Sequence, residues 1–114
     1  FEYNYVQEFF PIDEQYYQQQ FLLAAEKITN FYIDESEFEQ ALEITHKILC
    51  EDDLYEPAYR LQMTIFSKMG KTALLEEMFK RCQATFLEQL DMPLSEITIK
   101  HYESLLANAS SNLA

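Results

Sequence analysis

Glycine occurs once in these 114 residues and proline three times. An all-β chain of this length needs many turns, which lean on those two residue types, so the scarcity argues for helices. Long apolar runs are missing as well: none approaches the ~20 residues that carry a helix across a bilayer. Cations are few, with eight Lys and Arg against twenty Asp and Glu and a formal net charge of −12. Phosphate backbones are gripped by Lys and Arg, so this balance opposes nucleic-acid binding. It names no partner, and a solvated acidic surface is the plainer meaning of the charge. The two cysteines, Cys50 and Cys82, form no paired motif. With no basic-then-apolar leader ahead of them, they are expected as reduced thiols in a cytoplasm. The chain also opens on Phe1 without a start methionine, which leads us to expect a piece of a longer protein. Its length suits one domain with one core.

What is present is organised around the single glycine. Tyr59, Met63, Phe66 and Met69 recur at helical spacing, and Gly70 follows the last of them. Glycine takes the left-handed conformation that ends helices without a Cβ penalty. Lys68 and Lys71 flank it at the negative end of the helix dipole. Periodicity then resumes at Leu74, Leu75, Met78, Phe79, Cys82 and Phe86. The stretch therefore reads as a helical hairpin turning at Gly70, with Phe66 and Phe79 expected to be buried against each other's helices. The same device stands 34 residues earlier, at Ser36 within Asp34-Glu35-Ser36-Glu37-Phe38. At that offset Tyr59 falls on Ala25, Phe66 on Tyr32, Leu75 on Ala41, Phe79 on Thr45 and Cys82 on Ile48. A helix–turn–helix unit repeating at 34 residues is the tetratricopeptide signature. The expected fold is all-α, a tetratricopeptide-like array of about two and a half helical hairpins.

Taken in order, residues 1–12 form an aromatic arm, or the junction to an upstream domain, in which Phe9 and Phe10 are expected to pack on the first long helix. The helical domain spans residues 13–107. Asp13 caps a helix over residues 14–33 with an inner stripe of Tyr17, Phe21, Ala25, Ile28 and Tyr32. Ser36 and Glu39 suit a capping box for the second helix, whose apolar face is Phe38, Ala41, Leu42, Thr45, Ile48 and Leu49. Pro57 fits the first turn of the third helix, where a missing N–H is tolerated. The fourth runs over residues 72–90. Ser95 caps a fifth that carries Ile97 or Thr98, Tyr102, Leu105 and Leu106 and closes the array as a half-repeat. Residues 108–114 have little apolar surface and are expected to fray.

Candidate chemistry is sparse. His46 and Cys50 lie four apart with Glu43 a turn earlier, and all three residue types ligate zinc. A site needs ligands from a second element, so an ordinary half-exposed helix face is the preferred reading. Cys82 falls at a packing position and reads as a buried, inert thiol. His101 and Tyr102 are adjacent on a helix and point apart. No glycine-rich loop is present to cradle a phosphate. Neither an enzyme nor a cofactor is expected.

Several segments together resemble the bacterial transcriptional activator domain, a tetratricopeptide-like module of antibiotic-regulatory-type transcription factors. They are Ala58-Tyr59-Arg60-Leu61-Gln62-Met63, Gly70-Lys71, Leu90-Asp91-Met92-Pro93-Leu94-Ser95-Glu96-Ile97-Thr98, Tyr102-Glu103 and, upstream, Phe38-Glu39-Gln40-Ala41-Leu42-Glu43. The likeness covers residues 13–106. Asp91 departs from it, standing where the family usually has glycine. The resemblance implies a bacterial, cytoplasmic regulatory module acting by contact with a second protomer, a neighbouring domain or the transcription machinery. In the family a separate winged-helix domain binds DNA; nothing here resembles it. A generic tetratricopeptide adaptor of another bacterial protein is the alternative. The candidate partner surface is the groove lined by the first helix of each pair, weighed against a solvated face, which is the slightly preferred reading of those positions. The matching positions are Glu26, Asn30 and Ile33 in the first unit, and Arg60, Thr64 and Ser67 in the second. Some tetratricopeptide proteins grip a terminal carboxylate with Lys and Asn; Glu26 stands where that Lys would be, which disfavours such a clamp.

Overall fold

A computed structural model describes residues 13–113, and all regular structure among them is helical. Five helices follow in order: α1 Glu14–Asp34, α2 Phe38–Glu51, α3 Glu56–Lys68, α4 Thr72–Leu90 and α5 Glu96–Leu113. The expected packing of Phe9 and Phe10 falls outside the described residues. None of the helices described is long and apolar enough to cross a membrane.

Local chemistry explains most boundaries. Asp13 has an extended backbone, and its carboxylate accepts the N–H of Gln15 at 3.0 Å, satisfying one of the free amides that open α1. α3 begins with proline in its first turn. Ser95 Oγ accepts the N–H of Thr98 at 3.4 Å and so opens α5. The capping box at Ser36 does not form. Glu37 occupies the cap of α2 without a side-chain bond, because Ser36 is used to end α1 instead: it sits at φ 60°.

Ser36 and Gly70, at φ 74°, terminate their helices with one pattern of bonds. Around Ser36, the amides of residues 35, 36 and 37 donate to the carbonyls of Phe31, Ile33 and Tyr32. Around Gly70, those of residues 69, 70 and 71 donate to Ile65, Ser67 and Phe66, each partner 34 positions on. Asp91 makes a third left-handed ending, at φ 50° after α4. The departure from glycine thus leaves that conformation in place, since Asp tolerates it better than most residues.

The main core gathers Leu22 and Ala25 from α1, Ile48 and Leu49 from α2, Tyr59 and Met63 from α3, and Leu75, Cys82 and Phe86 from α4. Leu94 joins it from the segment before α5. A smaller cluster of Ile33, Ala41 and Ile65 lies nearer the two left-handed turns. Tyr59 is buried yet satisfied: its hydroxyl donates to the Asp53 carbonyl at 2.7 Å, and its ring meets Phe86 edge-on.

Two packing expectations need correction. The inner stripe of α1 is Leu22, Ala25, Thr29 and Ile33, whereas Phe21 and Ile28 are each 49 % exposed and Tyr17 40 %. Both sets obey helical periodicity; the larger side chains suggested the wrong one. Thr29 is able to face inward because its hydroxyl donates to the Ala25 carbonyl one turn back, at 2.7 Å. Phe66 and Phe79 are only half-buried, and Phe79 stacks on Tyr102 of α5 with ring centroids 3.9 Å apart. The α5 backbone is helical as far as Leu113.

Candidate functional site

Four of the six expected groove residues converge. Glu26 and Asn30 from α1 face Arg60 and Thr64 from α3 across a cleft of about 240 Å³, completed by Pro57, Leu61 and His101. Ile33 does not reach it. Position 33 continues the series of Ala25 and Thr29 into the core and is 6 % exposed. Ser67 is half-buried and lies outside the lining; its carbonyl is taken by the Gly70 amide.

The cleft walls are held by hydrogen bonds between elements. Tyr55, just before α3, donates its hydroxyl to Glu26 at 2.7 Å. Burial, reinforced by that carboxylate, pushes the Tyr55 phenol up to about 12. Asn30 donates its amide to the Glu26 carbonyl at 3.1 Å. Thr64 donates its single hydroxyl proton to the Arg60 carbonyl at 3.0 Å and lies 2.8 Å from His101 Nε2. The direction of the Thr64–His101 bond follows the tautomer of the ring. Burial lowers the His101 pKa, and the nearby Arg60 cation lowers it further, against the opposing pull of the Arg60 carbonyl.

Behind the cleft, Glu56 ties α3 to the start of α5. Its Oε1 accepts the Ser95 N–H at 3.2 Å. Its Oε2 accepts the Ser95 hydroxyl, the Thr98 hydroxyl at 2.9 Å and Arg60 Nη1 at 3.3 Å. Arg60 Nη1 also reaches Thr98 Oγ1 at 2.8 Å. Burial alone would raise the Glu56 pKa, but the Ser95 and Thr98 bonds and the Arg60 charge outweigh it and hold the carboxyl below its ordinary value. Arg60, expected as a partner-facing residue, is therefore largely committed inside the molecule. In sequence Ser95 was legible as the cap of the fifth helix and Thr98 as a position on it, but not their bonds to Glu56 and Arg60. His101 carried no signal for the cleft, because its partner Thr64 lies on another helix.

The remaining chemical candidates separate. Cys50 Sγ is 3.7 Å from His46 Nε2 on an exposed face, and Glu43 there pairs with Lys47 at 3.6 Å. No group of three His, Cys, Asp or Glu suited to a metal ion occurs among the described residues. Cys82 is fully buried, and burial pushes its thiol up to about 12, so the nucleophilic thiolate is suppressed. His101 and Tyr102 diverge, one to Thr64 and the other to Phe79. No family model, no curated protein and no solved structure matches this chain.

Proposed function

We propose that this chain is a protein-contact module of tetratricopeptide-like type, serving a bacterial transcriptional regulator in the cytoplasm and acting without catalysis or direct DNA binding. The observation that carries the reading is the pair of helix endings at Ser36 and Gly70, whose hydrogen bonds correspond partner by partner at 34 residues. That is the spacing of a repeat built to stack and to offer the first helix of each pair as a lining. The cleft of Glu26, Asn30, Arg60 and Thr64 lies on those first helices and brings a carboxylate, an amide, a guanidinium and a hydroxyl together. A further support is the Glu56–Arg60 tie to Ser95 and Thr98, which joins two separated segments that carry the family resemblance. Against catalysis stand the buried Cys82 thiol and the internal pairing of His101.

The test uses two reporters and one titration. Fused to a DNA-binding domain that acts only as a dimer, the chain reports self-association. Placed upstream of a weak bacterial promoter, the same fusion reports contact with the transcription machinery. At least one reporter responds, and the double substitution Glu26→Lys, Asn30→Lys at the cleft abolishes the response. Duplex DNA added to the isolated chain at low salt, where electrostatic attraction is strongest, gives no binding. Two silent reporters would refute the contact reading; tight, salt-sensitive DNA binding would refute its separation from DNA recognition.

A further inference from the structure

The outer face of α1 carries a second apolar stripe, along which Phe21, Ile28 and Phe31 are exposed. Tyr17, Phe21, Ala24, Ile28 and Phe31 follow one another at steps of four and three, the spacing of a helix seam. Phe21 and Ile28 are each 49 % exposed and Phe31 59 %. Around them the charge is withdrawn: in a chain of net charge −12, no charged residue lies between Glu14 and Glu26.

We propose that the stripe is the docking face for the chain's own residues 1–12. Three features argue for that occupant. The first is where the segment joins. Asp13 is the cap of α1, so Ile12 is the residue before the cap and Tyr17 the fourth residue of the helix. Apolar residues at those two positions form a hydrophobic staple that sets the entry angle of the chain, and here the staple begins the stripe. The second is reach and chemistry. Tyr17 to Phe31 spans roughly 21 Å of helix at ~1.5 Å per residue. Twelve extended residues cover up to ~40 Å, enough to return along the whole stripe. They carry Phe1, Tyr3, Tyr5, Val6, Phe9 and Phe10 to meet it.

The third is area. The stripe leaves roughly 400 Å² uncovered, taking ~150–250 Å² for a complete aromatic side chain. A stable complex of separate chains needs ~800 Å² from each partner, about twice that. A second copy would also bring its own charge of −12. A tethered segment has no such threshold, because its effective concentration is on the order of millimolar from the start. The inference does not depend on the function proposed above.

A nitroxide attached at a Tyr5→Cys substitution, in a Cys50→Ser background, tests the proposal by paramagnetic broadening. Signal loss is expected at the amides of α1 along Tyr17 to Phe31, with α2 and α5 spared. Phe21→Ser with Phe31→Ser should restore those signals while the far-ultraviolet circular dichroism stays helical; both side chains are exposed, so the fold tolerates the change. The single Phe31→Ser variant should restore them in part. Absence of broadening on α1, or broadening spread evenly over the molecule, would overturn the assignment. So would broadening carried from a labelled chain to an isotope-labelled, nitroxide-free one, which would make the stripe an interface between copies.

Discussion

Glu56→Gln tests the tie between α3 and α5. The carboxylate accepts from the Ser95 amide and hydroxyl, the Thr98 hydroxyl and Arg60, with its side chain 16 % exposed. Glutamine keeps one oxygen, which is able to serve the Oε2 cluster. Its amide nitrogen then meets the Ser95 N–H donor to donor. One bond is lost outright, and three drop from charge-assisted to neutral strength, each change worth about 1 kcal/mol before solvent compensation. Ser95 is exposed, so water recovers part of the loss. We expect a net cost of about 2 kcal/mol at neutral pH, read as a fall of roughly 5–10 °C in Tm for a domain of this size. Urea unfolding followed by circular dichroism at neutral and acid pH measures it. The folded carboxyl titrates below its ordinary value near 4.5, so its stabilisation is complete above that value and fades as pH falls through the folded pKa. The gap between wild type and variant should therefore close in acid, where wild-type Glu56 is itself neutral. A gap below about 0.5 kcal/mol at neutral pH, within the scatter of ordinary surface substitutions, would refute the reasoning, and so would a gap that acid leaves unchanged.

Three further outcomes follow from single side chains. Gly70→Ala should cost about 1 kcal/mol although nothing lies within 4 Å of the added Cβ, because the strain is in the backbone; Ser36→Gly should be neutral or stabilising by up to about 0.5 kcal/mol, and chemical denaturation giving the opposite order would discredit the shared turn geometry. Gln62 donates to Thr45 at 3.0 Å while its buried carbonyl oxygen has no partner, and Thr45 keeps its own bond to the Leu42 carbonyl; Gln62→Leu should hold or raise stability by about 1 kcal/mol, and a clear loss in urea unfolding would show the oxygen to be satisfied. His101 titrates below its ordinary value near 6.5 when folded, so stability should fall as pH drops below 6.5 and level off beneath the folded pKa; His101→Gln should remove that step, and a step that persists assigns it to another group.

Periodicity and punctuation carried most of the fold into the sequence. Gly70, Asp13, Pro57 and Ser95 mark turns or helix starts through their own backbone chemistry, and α4 begins and ends where its apolar repeat does. α1 was ambiguous because it has two apolar stripes. The one with more aromatic mass is outward, and burial of the other depends on Thr29 closing its hydroxyl onto the backbone, which composition does not reveal. Ser36 was read both as the turn matching Gly70 and as the cap of α2; the neighbouring hydrogen bonds show the turn alone to form. In the cleft, Glu26, Asn30, Arg60 and Thr64 were legible through the repeat offset. His101 and Glu56 were not, since their partnerships run between helices distant in sequence.

One consequence of the helix arrangement is kinetic. Among the described helices, α3 touches all four others, while each of those touches α3 and one other helix. Loosening α1 with α2, or α5 alone, leaves a connected remainder; releasing α3 leaves none. Amide hydrogens should therefore exchange in tiers, since regions of fewer contacts open at lower free energy. Those of α1 and α5 should trade with deuterium through partial openings that denaturant barely accelerates. Those in the middle of α3, around Gln62 and Met63, should be the last to exchange, at the rate set by unfolding of the whole molecule.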